Sequence, residues 1–339
     1  MRLKRTWKNV MRRIAALCMS AVIVGWGGRV SYAVNNADLL EYGIVERINE
    51  SGITVREYDS KGNTLAYSRS QKDDSWVESM LATMGMSEVV IQNLSEEALA
   101  LYASEGKMYA LEAYYAVDKE GNSVIVSKDV VEQNLSDSTR TQGSTYVKEY
   151  DDNYIHVYHT VWVSENGNTI RHSTTADWES MPVNRYTDSL ASCTQSCSVR
   201  EETMQGYRMY HTGSGSVRVD FVGLDQNGNF TGNTEFQLVT DGDFTGVGVT
   251  FPMPSHYNVP VGVNANTLSG FSVHMEYEVS PYGIDLTVGE ELSVIVYYCH
   301  TTLQIGADPS LSINGDFSIT PALTISHHNK DMFFDITVP

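Results

Sequence analysis

The sequence predicts a mainly β protein: a β-sandwich or jelly-roll-like C-terminal domain follows a small N-terminal region with a helical hairpin and a β-hairpin. Two observations lead to this fold class. From residue 145 onward, short runs rich in β-branched and aromatic residues alternate with turn residues at regular spacing, as in sandwiches. Residues 74–105 instead place apolar residues at helical spacing.

The expected strands of the C-terminal domain are short and evenly distributed. Alternation is clearest in residues 217–221, which place apolar side chains on one face and polar side chains on the other. Strands are expected at Tyr154–Val163, Thr169–Thr175, Tyr186–Ala191, Gly206–Tyr210, Val217–Val222, Glu235–Val239, Gly246–Phe251, Gly270–Val279, Leu292–Cys299, Leu311–Ile313, Asp316–Ile319 and Met332–Val338.

Turns between strands are predicted by a shared pattern in which an acidic or hydroxyl residue precedes Gly-Asn. Glycine supplies the positive φ that three- to five-residue hairpin loops require. The pattern occurs at Asp59–Asn63, Asp118–Asn122, Ser164–Asn168 and Asp225–Asn229, and Asn314-Gly315 predicts a shorter hairpin.

Two or three short helices, packed as a hairpin, are expected at 74–105. Asp74-Ser75, Ser87 and Ser95 precede the apolar runs as capping residues do, and Gly85 and Gly106 end them. The polar run 134–144 predicts a linker between a small α+β region at 34–133 and the sandwich domain at 145–339.

The first 33 residues have the three parts of a secretory signal peptide. Residues 1–13 contain six basic residues and no acidic one, an uncharged run of 15 residues follows, and Ser31-Tyr32-Ala33 ends it. This run is shorter than the ~20 residues of a membrane-spanning helix, although an uncleaved anchor is the alternative. We expect cleavage after Ala33, a mature chain that begins at Val34, and a protein that is secreted or loosely held at the cell surface, without membrane attachment.

The charge after cleavage is strongly negative. Seven of the 23 Lys and Arg lie in the signal and none of the 42 Asp and Glu, so residues 34–339 carry 16 basic against 42 acidic residues, or −26. Such a field repels phosphate backbones, which excludes nucleic acid as a main partner.

Three cysteines follow the signal: Cys193, Cys197 and Cys299. Cys193 and Cys197 are ~13 Å apart in an extended strand, beyond the ~7 Å limit of a disulfide, so they pair only if the chain turns between them. The polar segment 194–196 permits a turn, and a local Cys193–Cys197 bridge is expected. A bridge from Cys299 to one of the two is the alternative.

A motif at residues 178–188 resembles one in a known group of proteins. Trp178, Pro182, Arg185 and Asp188 give Trp-x-x-x-Pro-x-x-Arg-x-x-Asp. Together with Met84-Gly-Met-Ser87 and the hairpin at 115–122, it resembles uncharacterised secreted proteins of Gram-positive anaerobic bacteria, in patches over residues 40–300. The resemblance implies secretion and a helical region before a β-rich domain, and it implies no activity.

The same motif supplies candidate ligand-binding residues. Arg185 and Asp188 lie three apart, hence on opposite faces of a strand, and are expected to pair with neighbours. A structural corner with Trp178 packed over the turn is the main interpretation, and a ligand site is the alternative. Further candidates are aromatic residues near strand ends, which hold sugars or peptides in binding modules or merely fill strand positions: Tyr207, Tyr210 and Tyr257.

No spacing typical of a catalytic or metal site is found. His156 and His159 point to opposite faces of one strand, and a calcium loop at Asp225–Asn229 lacks the glycine and glutamate that an EF-hand requires. We therefore hypothesise a non-catalytic extracellular binding protein without a cofactor, whose partner is a cell-surface glycan, a peptide or a protein. The alternatives are a hydrolase of carbohydrate or peptide with dispersed carboxylates and a structural surface or spore-coat component.

Overall fold

The architecture is known from a computed structural model. The structure describes residues 36–61, 73–117, 123–140, 153–182, 187–213, 215–221, 236–256, 258–282, 289–301, 307–308, 320–321 and 327–339. Residues 34–339 form one compact unit.

Strands dominate the described residues, and the helices are short. The helices are α1 (Asn36–Tyr42), α2 (Asp74–Thr83), α3 (Glu88–Gln92), α4 (Glu96–Tyr102) and α5 (Lys128–Arg140), with a 3-10 turn at Ala265–Thr267. The strands are β1 (Val45–Ile48), β2 (Thr54–Asp59), β3 (Gly106–Val117), β4 (Ser123–Val126), β5 (Asn153–Ser164), β6 (Ile170–Trp178), β7 (Thr187–Gln195), β8 (Cys197–Thr212), β9 (Gly215–Asp220), β10 (Phe236–Asp241), β11 (Phe244–Pro252), β12 (Leu268–Pro281), β13 (Glu291–Thr301), β14 (Ala307–Asp308), β15 (Thr320–Pro321) and β16 (His327–Thr337).

Two antiparallel sheets form the body of the molecule. The larger has nine described strands in the order β1-β2-β3-β5-β6-β12-β8-β9, with β4 also paired to β3. The smaller has five in the order β10-β11-β7-β13-β16, and β14 pairs with β15 separately. The predicted hairpins at 118–122 and 164–168 are confirmed, since β3 pairs with β4 and β5 with β6.

The main core lies between the facing sides of the two sheets. It contains apolar residues of β3, β5, β6, β8 and β12 together with those of β7, β11, β13 and β16. Trp178 of β6, Phe271 of β12 and Tyr298 of β13 are among its fully buried large side chains. This face-to-face burial confirms the predicted β-sandwich.

A second core lies on the outer face of the larger sheet, where helices cover its first half. Residues of α1 to α4, with Met80 and Met84 fully buried, pack on Tyr58, Met108 and Trp162 of the sheet. Ser87 and Ser95 cap α3 and α4 as predicted, whereas Asp73, one residue before the predicted cap, accepts the first-turn N–H of α2.

Two helices were not expected from the sequence: α1 and α5. The predicted 134–144 linker begins inside α5, and residues 141–150 lie outside the described part of the chain. β3 and β5, on either side of that linker, pair over their full twelve residues, so it joins two parts of one sheet. Within the described residues, no helix has the length and apolarity to cross a membrane.

Candidate functional site

The outer face of the larger sheet changes character between its two halves. β2, β3 and β5 present apolar residues to the helices, but β6, β12 and β8 present polar and charged ones. We call this second half the polar strip; besides the apolar Met209, its members are Arg171, Ser173, Thr175, Asp177, Gln205, Tyr207, His211, Ser272, His274, Glu276 and Glu278. Strand alternation places their neighbours in sequence in the core between the sheets.

One end of the polar strip is a chain of ion pairs. Arg171 Nη2 lies 2.9 Å from Glu276 Oε2, and its Nη1 lies 3.2 Å from Glu278 Oε1. Glu278 Oε2 in turn lies 2.7 Å from Arg200 Nη1. Burial alone would lower the pKa of Arg171, but Glu276 and Glu278 raise it, so the guanidinium is held charged.

The chain of ion pairs leads from the interior to solvent. The side chain of Arg171 is 5% exposed, that of Glu278 is 15% and that of Arg200 is 42%. Beside Arg200, the pairing of β8 with β12 shifts register between Gln205 and Arg200, which leaves a bulge at residues 201–204. The bulge projects two exposed carboxylates, Glu201 and Glu202. Bulges of this kind re-aim side chains and are common beside functional sites.

The other end of the strip is held by hydrogen bonds between side chains. Ser272 Oγ donates to Asp177 at 2.8 Å and contacts His211 Nε2 at 2.7 Å. His274 Nδ1 contacts the Thr175 hydroxyl at 3.0 Å, and burial lowers the pKa of His274 to about 4. The His274 ring is therefore uncharged above that pH.

An exposed rim borders the strip along β9. The Arg218 guanidinium lies over the Tyr207 ring, 4.1 Å from its centroid, and pairs with Asp220. Arg218 also donates to Asn93 at the end of α3, so the rim and the helical layer meet at this point. Arg218 and Asp220 are both solvent-accessible.

Buried polar groups at the inner end of the strip interact mainly with one another. The Tyr102 hydroxyl of α4 interacts with Thr160 of β5 and with Arg171, and Arg171 pairs with Glu276. The helical layer and the polar strip are therefore joined here by buried polar contacts.

Two of the predicted motif residues, Trp178 and Asp188, meet in the core between the sheets and not on the strip. Trp178 Nε1 donates to the Tyr298 hydroxyl at 2.6 Å, and that hydroxyl donates to Asp188. His300 Nδ1 lies 2.9 Å from the other oxygen of Asp188. All four side chains are buried. The two ends of the motif, Trp178 and Asp188, are thus linked through Tyr298 in the core.

An Asp–His pair such as Asp188–His300 also resembles the orienting half of a hydrolase triad. Among the described residues, however, His300 hydrogen bonds to Asp188 alone, and its ring packs on Trp178 with centroids 4.9 Å apart. None of the described residues is therefore a nucleophile in contact with the imidazole of His300. Nor do the described residues contain a group of three or more His, Cys, Asp or Glu that could hold a metal ion.

The structure places the predicted aromatic residues in different surroundings. Tyr207 lies on the polar strip, whereas Tyr210 faces the core and packs on Phe271, with ring centroids 5.2 Å apart. Tyr207, Tyr210 and Trp178 are all buried, so they do not form an exposed aromatic face. Arg185 and Tyr257 lie outside the described residues, as does the calcium loop considered at Asp225–Asn229.

The expected Cys193–Cys197 bridge is absent: Cys193, Cys197 and Cys299 are buried, and none of the three forms a disulfide. The predicted strand end near Ala191 was too early, because β7 continues to Gln195 in the smaller sheet and Cys197 opens β8 in the larger. Ser196, at φ 55°, is the turn between the sheets. Burial raises the pKa of Cys197 to about 12, which keeps it a thiol.

No family model and no curated protein matches this chain. The collagen-binding subdomain of Enterococcus faecalis surface protein ACE aligns with 50% of this chain and 88% of its own, at 8% identity and TM-score 0.24. The collagen-binding domain of a Staphylococcus aureus adhesin aligns with 49% of this chain and 87% of its own, at 9% identity and TM-score 0.22. The KRT10-binding region domain of the pneumococcal serine rich repeat protein PsrP aligns with 57% of this chain and 87% of its own, at 13% identity and TM-score 0.23. At TM-scores this low, the likenesses are no evidence for a shared function.

Proposed function

We propose that this protein is an exported, non-catalytic binding module and that the polar strip, its bulge and its rim contact a partner protein. One observation carries the proposal: helices cover the apolar half of the outer sheet face, while the other half leads from buried polar groups to exposed charged ones. A solvated surface alone would not require the buried ion pairs of Arg171, which cost desolvation energy.

A protein partner fits this surface better than a neutral glycan. The exposed part of the site carries both signs of charge, with Arg200 and Arg218 beside Glu202 and Asp220. Charges of both signs complement the side chains of a protein, and they set orientation and partner choice. Glycan recognition would instead use exposed aromatic rings, and the predicted aromatic ligands that the structure describes are buried.

Export is the other half of the proposal and has its own test. The signal pattern at residues 1–33 supports release of a chain that starts at Val34. N-terminal sequencing of the protein from the culture medium should read from Val34; a chain that starts at Met1 would show that the signal is not cleaved.

Binding is tested with the purified protein on a panel of extracellular proteins, with a glycan panel in parallel. The double variant Arg218→Ala/Asp220→Ala removes the charged rim and should weaken binding to a protein partner at least about tenfold, as truncation of interface charges does. The matched control is Arg47→Ala at the opposite edge of the same sheet, whose exposed ion pair with Glu57 has the same character. It should leave binding unchanged.

Two outcomes would contradict the proposal. Binding to glycans alone would exclude a protein partner. Equal loss in the rim variant and in the Arg47→Ala control would move the binding surface away from the polar strip.

A further inference from the structure

Strand β9 lies at one end of the described strand order of the larger sheet. Among the described strands it pairs with β8 alone. Its residues are exposed, except Val219, which is partly buried. A strand in this position presents a row of backbone N–H and C=O groups on the side away from its neighbour, and such a row can pair with a strand of another chain.

One hydrogen bond shows which residues of β9 present these outward groups. Phe221 N donates to Gly206 O at 2.8 Å, so the N–H of Phe221 points to β8. Backbone groups alternate in direction along an antiparallel strand, and the pairing of β9 with β8 has no register shift, so those of Val219 also point to β8. The residues whose N–H and C=O groups point outward are therefore Ser216, Arg218 and Asp220.

The sequence of β9 lacks two residue types with which proteins often block a strand edge. It contains neither proline nor lysine. Its charged residues, Arg218 and Asp220, pair with each other along the outer face of the sheet. The edge is thus suited to accept a further strand.

The two faces of β9 define the strand that fits beside it. Residues directly opposite in an antiparallel pair lie on the same face, so an acidic residue belongs opposite Arg218 and a basic one opposite Asp220. On the inner face, Val217 is 38% exposed and Val219 packs at the margin of the core between the sheets. Apolar residues therefore belong opposite these two valines, and the sequence that fits is basic, apolar, acidic, apolar from its N-terminus.

We infer that the partner protein binds by adding an antiparallel strand of this alternating sequence to the outer edge of β9. The inference rests on the proposed function, because it takes the rim to be a site of protein binding. Backbone hydrogen bonds to the outward groups supply affinity, and the side chains on the two faces select the sequence and its register. A second copy of this chain fits less well, since two strongly acidic chains repel each other.

Two capped pentapeptides of identical composition test the charge pattern: lysine-valine-glutamate-valine-threonine and glutamate-valine-lysine-valine-threonine. Each is titrated into the purified protein while the backbone N–H resonances of β9 are followed by NMR. The first peptide places glutamate opposite Arg218 and lysine opposite Asp220, and it should bind at least about fivefold more tightly than the second. The outward N–H of Arg218 should shift more than that of Val219, which is already bonded to β8.

Two isomers of the first peptide separate backbone pairing from side-chain contacts. N-methylation of its glutamate removes the N–H that pairs with the C=O of Arg218, and should weaken binding about fivefold to tenfold, the worth of one hydrogen bond. N-methylation of the valine that follows glutamate is the matched control. Its N–H points away from β9, so this isomer should bind as the unmethylated peptide does.

Arg218→Pro and Arg218→Ala make the corresponding comparison on the protein. Both variants remove the guanidinium, but only proline removes the outward N–H. Proline is tolerated where the N–H of an edge strand faces solvent, and urea titration checks that the fold is kept. Arg218→Pro should bind the first peptide about fivefold to tenfold more weakly than Arg218→Ala. If Arg218→Pro does not fold, the N-methyl isomers decide on the wild-type protein.

Equal binding of the two charge isomers, equal binding of the two N-methyl isomers, or no response to any peptide would overturn strand addition. So would a dimer of the free protein that Arg218→Pro dissociates, since the edge would then belong to a second copy. A partner protein that is lost in Arg218→Ala/Asp220→Ala but binds Arg218→Pro and Arg218→Ala equally overturns strand addition and leaves the proposed function standing. A partner protein that ignores the rim variant contradicts the proposed function, even where the first peptide binds to β9.

Discussion

Asp188 shows at the scale of single residues how the predicted motif stabilises the fold. Its carboxylate is fully buried and accepts from the Tyr298 hydroxyl and from His300. Tyr298 belongs to β13, about a hundred residues further along the chain, and also accepts from Trp178. The network therefore ties β6, β7 and β13 together across the sandwich, at the end where the motif connects the two sheets.

Removal of this carboxylate should be costly. Asp188→Ala removes the carboxylate that accepts from two buried donors, and we expect the free energy of unfolding to fall by about 3 kcal/mol in urea titrations. The control is Asp335→Ala, an exposed carboxylate that accepts from Ser293, which should change stability by no more than about 0.5 kcal/mol. Equal effects of the two variants would show that the network contributes nothing beyond an exposed hydrogen bond.

A buried histidine pair makes stability depend on pH. His159 and His172 lie in the core with ring nitrogens 3.4 Å apart, and burial lowers the pKa of His172 to about 3. In the unfolded chain the pKa is near 6.5, so the unfolded state binds the proton first. The stability that neutral His172 contributes is fully present above about pH 6.5 and is lost as the pH falls toward 3.

The pH dependence can be assigned to this residue by substitution. His172→Asn should reduce the slope of unfolding free energy against pH, between pH 6.5 and 4.5, by up to about 1.4 kcal/mol per pH unit. Urea titrations at several pH values measure both slopes. Parallel slopes for the variant and the wild type would show that His172 is not the group that titrates.

At the scale of elements, the junction of α2 and α3 depends on one glycine. Gly85 has φ of 103°, and a Cβ there would lie 2.4 Å from Arg56 Nη1. Arg56 cannot move freely, because it is buried and donates to Glu112 at 2.7 Å and to Met84 O at 3.1 Å. Burial alone would raise the pKa of Glu112, but His156 and Arg56 lower it well below its usual range, which keeps this ion pair charged.

Gly85→Ala should therefore destabilise the protein through both strain and steric conflict. The matched control is Gly262→Ala, where φ is 90° but nothing lies within 4 Å of the added Cβ. The control should cost about 1 kcal/mol of unfolding free energy, and Gly85→Ala at least about 2 kcal/mol more. Equal costs, measured by urea unfolding, would mean that Arg56 adapts without loss.

The local pattern of the sequence predicts elements well because periodicity and capping are local. The helices of 74–105, Gly85 and the hairpin at 164–168 follow from such signals. The polar strip could also be predicted in part from the sequence, since β12 alternates apolar residues with His274, Glu276 and Glu278. What the sequence does not contain is strand order: β12 lies between β6 and β8, and only that arrangement brings Glu276 to Arg171.

The missed features have physical reasons of the same kind. α5 has few apolar residues, so its polar composition predicted a linker, although Val131 is buried in a small cluster with Ala116 and Tyr154. The expected disulfide is absent for a similar reason. Segment 194–196 has the composition of a turn, but pairing with β11 and β13 extends β7 through Thr194. Long-range pairing overrides local preference in both cases.

At the scale of the whole molecule, one large sheet serves two purposes. Its inner face forms the sandwich core, and its outer face is divided between the helical layer and the polar strip. Residues 34–339 carry a formal charge of −26, and a field of this sign attracts basic proteins. Association with a basic partner protein should therefore slow as ionic strength rises.

Amide hydrogen–deuterium exchange on the protein, with and without its bound partner protein, tests the binding surface most directly. With the polar strip as the binding surface, we expect the partner to slow exchange in β9 and in the bulge at residues 201–204. Exchange in β1, at the opposite edge of the sheet, should stay unchanged. Protection confined to β1, or to β10 at the edge of the smaller sheet, would contradict the assignment of the polar strip as the binding surface.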